Sequence, residues 1–178
     1  MLKYERKLID WLVERKNVLF FCVVTALALA ARMSALDFET PDMKLCLVPW
    51  AQMFRENGGF AAMKEQIGDY NIFYQTLIVL LTRLPGSLVH LYKYVSITFD
   101  FLLALFCAWF VAREQGERVL GRAWNAAYTV VIFLPTVFLN SAVWGQCDAM
   151  YGFLCVLSLY TLKSTTPFPS SPWALALP

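Results

Sequence analysis

Long apolar stretches separated by short polar ones set the pattern of this chain. A polar, basic segment at 1–17 is followed by an apolar run at 18–36, interrupted only by Arg32 and Ser34. Apolar runs return at 88–112, 124–143 and 149–162, the second of these with Pro135 near its far end. A helix that crosses a bilayer needs about 20 mostly apolar residues, so the spacing predicts four membrane spans, the last one short. Ala28-Leu29-Ala30 resembles a signal-peptidase site, but the leader is long and partly acidic for a cleaved signal. A retained first anchor is expected.

The segment 37–87 is different. It holds six carboxylates, and within it Leu47, Trp50 and Phe54 recur at helical spacing until Asn57-Gly58-Gly59 stops the helix. A short amphipathic helix lying on a membrane surface fits that pattern. The run 72–84 is apolar but too short to span alone, so it reads as interfacial or re-entrant. The expected fold is therefore all-α, a polytopic transmembrane helical protein with a long first loop of interfacial helices.

Charge orients the spans. The leader has five Lys/Arg in 17 residues and the connector 113–122 has three in ten, against four in fifty in the net-acidic loop 37–86. The positive-inside rule places leader, connector 113–123 and both termini in the cytoplasm of a multi-pass cell-membrane protein. The acidic loop and the turn 144–148 then face outside. The tail 163–178 is rich in Ser and Pro and reads as irregular, in the manner of a truncated end.

Composition agrees with a membrane chain: 59% of the 178 residues are hydrophobic, 16% are charged, and the mean hydropathy is +0.54. A net charge of +2 gives no reason to expect nucleic acid. The five cysteines form no CxxC pair, and three lie in apolar runs as small hydrophobes. There is no P-loop, Gly-rich dinucleotide turn or His/Cys metal cluster. No cofactor is called for, and a divalent ion on the outer carboxylates is compatible but not required.

Ionisable residues in a bilayer each need a reason. Arg32 and Lys93, near the outer ends of the first two spans, either snorkel to the interface or meet a lipid phosphate. Asp100, deeper, is expected to pair with another helix. His90 reads as an interfacial residue. Asp37, Glu39 and Asp42 follow the first span at headgroup depth, where a carboxylate could act as a base beside a departing phosphate.

Three stretches narrow this further. They are Asp42-Met43-Lys44-Leu45-Cys46-Leu47-Val48-Pro49-Trp50 with Asn57-Gly58-Gly59-Phe60; Gly68-Asp69-Tyr70-Asn71-Ile72-Phe73-Tyr74 leading to Lys93 and Ser96-Ile97-Thr98-Phe99-Asp100; and Val143-Trp144-Gly145-Gln146-Cys147-Asp148-Ala149-Met150-Tyr151. In that order they resemble the bacterial GT-C-fold membrane glycosyltransferases related to the GPI mannosyltransferases. The resemblance runs from about Arg32 to Tyr160, and Trp-Gly-Gln-x-Asp-x-x-Tyr is its most specific part.

The resemblance implies an inverting transferase that moves a sugar, at family level mannose, from a polyprenyl-phosphate donor to an extracytoplasmic glycan or glycolipid acceptor. It implies Asp42 as general base, with Asp69, Tyr70, Asn71, Gln146 and Asp148 lining the acceptor cleft. Arg32 and Lys93 are candidates for the lipid phosphate on position and charge. Four spans are fewer than the family has, so the chain reads as its N-terminal part, with little activity expected from it alone. The competing readings are a non-enzymatic membrane subunit and a transporter component, for which Arg32, Lys93 and Asp100 would mark a polar pathway.

Overall fold

The computed structural model describes residues 3–165, so most of the Ser/Pro tail lies outside the described residues. Within them every regular element is helical. Helix α1 (Lys3–Met33) continues the basic leader into the first apolar run without a break. A turn then leads to a π-helical segment, Met43–Leu47, that runs straight into α2 (Val48–Glu56). A 3₁₀ helix (Gly59–Lys64), α3 (Ile72–Leu81), α4 (Leu88–Glu114), α5 (Arg122–Ile132), α6 (Pro135–Phe138), a second π-helical segment (Leu139–Trp144) and α7 (Asp148–Thr165) complete the order.

Local sequence explains the ends. Asn57 and a left-handed Gly58 (φ 83°) stop α2, as the Asn-Gly-Gly signal predicts. The Asn71 side chain accepts a hydrogen bond from the Tyr74 N–H and so caps α3. The Glu117 carboxylate accepts from the Ala123 N–H at 2.8 Å and does the same for α5. Pro135, lacking an N–H, separates α5 from α6, and the helix on either side of this break bends by 52°.

Among the described residues two helices are long and apolar enough to cross a membrane: Asp10–Met33 within α1, and α4. Counting the bent pair, Arg122–Ile132 with Pro135–Trp144, as one span gives a third; α7 is not among them. Helix α3 is apolar but short.

Helix α4 is the central post. At the connector end, Ala104, Ala108 and Ala112 on α4 are buried against Trp124, Tyr128 and Ile132 of α5. Both triplets repeat every four residues, so large side chains fill the space that small ones leave, the usual way helices approach closely in a bilayer. Phe21 of α1 meets Trp124 and Tyr128 edge-on, with centroids 5.0 and 4.9 Å apart. At the opposite, loop end, Leu47, Ala51 and Phe54 of the first-loop helix pack on Tyr74 and Ile78 of α3 and on Val89 and Tyr92 of α4. The apolar stripe read from Leu47, Trp50 and Phe54 thus faces a protein core, with Leu47 and Phe54 fully buried and Trp50 packed beside them.

Between the two cores lies an ion pair. Arg32 and Asp100 are 0% exposed, with Nε 2.8 Å from Oδ2. Nη2 of Arg32 also donates to the Ile132 carbonyl at 2.8 Å and Nη1 to the Ala28 carbonyl at 3.2 Å. Ser141 donates its hydroxyl to the same Asp100 oxygen. Phe101 and Phe138 place their rings 5.4 and 5.5 Å from the guanidinium. The Ile132 carbonyl lies at the helix break, so Arg32 supplies a donor where the regular ladder ends.

Removing one member of a buried pair leaves an uncompensated charge and costs about 3–5 kcal/mol. Asp100→Ala is therefore expected to lower the melting temperature in detergent by about 6–20 °C, and Arg32→Met/Asp100→Leu to recover most of that loss. A double variant no more stable than Asp100→Ala would show that the pair is not what holds these helices.

Candidate functional site

Both π-helical segments border the same patch. Such wide turns are rare and concentrate at functional sites. Asp42 immediately precedes the first, and Gln146 comes two residues after the second. Across the gap, Nε2 of Gln146 donates to Oδ2 of Asp42 at 2.5 Å. Tyr70, from the segment before α3, donates its hydroxyl to Oε1 of Gln146, also at 2.5 Å. Three polar residues up to 104 positions apart thus form one chain, Tyr70 to Gln146 to Asp42.

The amide orientation is dictated by the chemistry of its neighbours. An ionised carboxylate only accepts hydrogen bonds, so the NH₂ group must face Asp42. The amide oxygen is left for the phenol, which has to donate. Burial pushes the Tyr70 hydroxyl pKa well above the ordinary phenol value, with Cys147 and Asp42 adding to it. The hydroxyl therefore keeps its proton across any ordinary pH, and the chain keeps its direction.

Two glycines let the segments come this close. Gly145 (φ 67°) packs its Cα side against Met43 and Lys93; a Cβ there would lie 2.3 Å from the Met43 methyl. Gly68 (φ 73°) lies flat on Trp50, where a Cβ would fall 2.6 Å from the indole. The Trp50 ring in turn meets Tyr70 edge-on at 5.8 Å, and Tyr70 meets Tyr74 at 4.6 Å. The aromatic cluster fixes the phenol that holds the amide that orients the carboxylate.

The other expected residues are placed around this chain. Asn71 donates to the Tyr151 hydroxyl at 3.1 Å, and Asn140 donates to Asp148. Asp69 is exposed at the rim. Desolvation first, and then the Asp42 carboxylate, raises the Cys46 thiol pKa, with a smaller effect from Asp69. Asp42 itself is half-buried, so one side is accessible. Sequence alone does not single out Tyr151 and Asn140, which lock Asn71 and Asp148. Tyr151 does close the Trp-Gly-Gln-x-Asp-x-x-Tyr stretch, and that is its available signal.

Arg32 and Lys93 need correction. Neither is placed to meet a lipid phosphate, because both are 0% exposed. Arg32 is committed to Asp100. Lys93 donates its ammonium to the carbonyls of Ala35 at 2.7 Å and Phe38 at 2.5 Å, pinning the turn between α1 and the Asp42 segment. Charge and position along the chain suggest an interfacial cation in each case; tertiary packing supplies internal acceptors instead. The exposed cation nearest Asp42 in sequence is Lys44, in a loose 3.9 Å pair with Glu39. His90 is paired with Asp37 at 2.8 Å. Among the described residues no group of three His, Cys, Asp or Glu side chains is placed to hold a metal ion.

No protein-family model, curated protein or solved structure matches this chain.

The geometry makes Gln146 a sensitive position. Gln146→Glu would set a second carboxylate against Asp42, and like charges that close cannot both ionise freely. One carboxyl of the pair is then expected to titrate above the ordinary carboxylate range. Infrared spectroscopy should show a protonated carboxyl band near neutral pH that is absent from the wild type and from Asp42→Asn/Gln146→Glu. Full ionisation of the single variant at neutral pH would mean the two side chains are not in contact.

Proposed function

We propose that the chain is a membrane-embedded inverting glycosyltransferase of the GT-C type, acting on a sugar carried by polyprenyl phosphate. The observation that supports this most directly is the half-exposed Asp42 carboxylate, aimed by Gln146 and Tyr70 just beyond the end of a membrane-length helix. In this reading Asp42 accepts the proton of an acceptor hydroxyl while that oxygen bonds to the anomeric carbon. The bond from that carbon to the phosphate oxygen breaks with inversion, and the phosphate leaves with the electron pair. A positioned base contributes about 10²–10⁴-fold to such a step.

Asn71 and Asp148, held by Tyr151 and Asn140, offer hydrogen-bonding groups to acceptor hydroxyls. Lys44 takes the place beside the phosphate that Arg32 and Lys93 do not fill. The four-span topology, with this face outside, is part of the same reading. The second reading, a non-enzymatic membrane subunit, rests on the two apolar grooves that lie at the other end of the bundle.

Protein in phosphatidylcholine vesicles, supplied with mannosyl-phosphoryl-polyprenol and a soluble oligomannoside, tests this. Binding of the lipid donor and slow transfer are expected, with Asp42→Asn keeping donor binding within about twofold but losing at least about 100-fold in transfer. Donor binding without transfer in the wild type would favour the non-enzymatic subunit. Absence of donor binding would remove the reading.

A further inference from the structure

Two apolar grooves flank α5 at the connector end, far along the bundle from Asp42. One, of about 630 Å³, runs between α4 and α5 and is floored by Cys107, Val111 and Val131. The other, of about 400 Å³, lies against α1 and is walled by Phe20 and Asn125. Three residues line both: Arg122, Ala126 and Val130. Small side chains on α5 keep the grooves open, and Val130 between them is 62% exposed. In a bilayer such surfaces meet hydrocarbon.

The mouth is polar and lacks partners. Arg122 and the nearby Arg118 are exposed, and among the described residues neither forms an ion pair. Glu117 lines the larger groove, but its Oε2 is held by the Ala123 N–H. The smaller groove has no carboxylate in its lining. Asn125 in its wall is only 6% exposed, and its Oδ1 accepts no hydrogen bond within the chain. Its amide NH₂ is already committed to the Leu120 and Gly121 carbonyls. The exposed Arg122 guanidinium at the mouth of two apolar grooves calls for an anionic group that carries apolar chains.

We propose that this end of α5 binds one anionic glycerophospholipid, its two acyl chains straddling α5 in the two grooves. Its phosphate sits on Arg122, at the mouth the two grooves share. The charge complementarity is that of basic pockets between membrane helices at a lipid surface. A two-chain lipid is favoured because one cation serves two apolar grooves.

Native mass spectrometry of the detergent-purified full chain, titrated with phosphatidylglycerol or phosphatidylcholine, provides the test. One phosphatidylglycerol per chain is expected, with phosphatidylcholine about fivefold weaker, the value of one basic contact near a lipid surface. Arg122→Gln should bring phosphatidylglycerol down to the phosphatidylcholine level, and Arg122→Lys should largely keep it. Ala126→Phe, whose ring would enter the grooves, should lose both lipids while circular dichroism stays helical. Unchanged phosphatidylglycerol retention in Arg122→Gln or in Ala126→Phe would overturn the assignment. So would a lipid-free dimer that Ala126→Phe dissociates, since the grooves would then belong to a second copy.

Discussion

The buried contact between Arg32 and Asp100 sets the geometry that everything at the loop end depends on. A guanidinium among apolar helices is tolerated only where its donors are used and its charge is answered. Here the acceptors come from α1, α4 and the carbonyl at the bend of α5, and Ser141 adds a hydroxyl from beyond that bend. These partners can be met together in only one vertical register of the helices. Asp42 lies ten residues after Arg32, and Gln146 five after Ser141. Fixing the pair therefore fixes the heights from which both arms of the polar chain start. Lys93, two turns from Asp100 on α4, then ties down the connecting turn at Ala35 and Phe38.

How much of this the sequence discloses depends on the range of the interaction. Helix ends are legible because their causes are local: Asn57-Gly58 and Pro135 act within a turn or two of themselves. The stripe of Leu47, Trp50 and Phe54 is legible as periodicity, but its partner is not. A surface helix facing lipid and one facing α3 and α4 share the same pattern. Asp100 reads as pairing with another helix, because a carboxylate at that depth has few alternatives. Arg32 and Lys93 have two, snorkelling and phosphate binding. The third, internal acceptors contributed by distant segments, does not show in one dimension. The closeness of Asp42, Tyr70 and Gln146 has the same character, since nothing in their spacing brings residues 42, 70 and 146 together. Their motifs are visible only as separate stretches, and the fold brings them into contact.

The two ends of the bundle are built on different logic. At the loop end, long polar side chains are locked by one another and by an aromatic cluster, leaving one carboxylate half-open. Such pre-organisation suits chemistry, because the group does not have to be reoriented at the moment of reaction. At the connector end the helices meet through alanines, which gives close contact in the interior and open furrows outside. That arrangement suits a fluid, adaptable occupant. A rigid polar site supported from a lipid-facing base is a consistent division of labour for a membrane protein.

The π-helical segment at Met43–Leu47 has a consequence for how the chain could vary. A wide turn holds one residue more than the α-helix it interrupts, so the segment behaves as an insertion stored inside a continuous helix. Losing any one residue there would let the backbone relax into ordinary α-helix without breaking it. Asp42 before the segment and the apolar stripe of α2 after it would keep their relative faces, because the five residues of the wide turn advance around the axis by about as much as four α-helical ones. Among single-residue length changes, a loss at 44–46 would thus be absorbed, whereas a loss inside α2 would turn its apolar stripe by about 100° relative to Asp42. A deletion scan, more than a substitution scan, would trace where the architecture ends and the site begins.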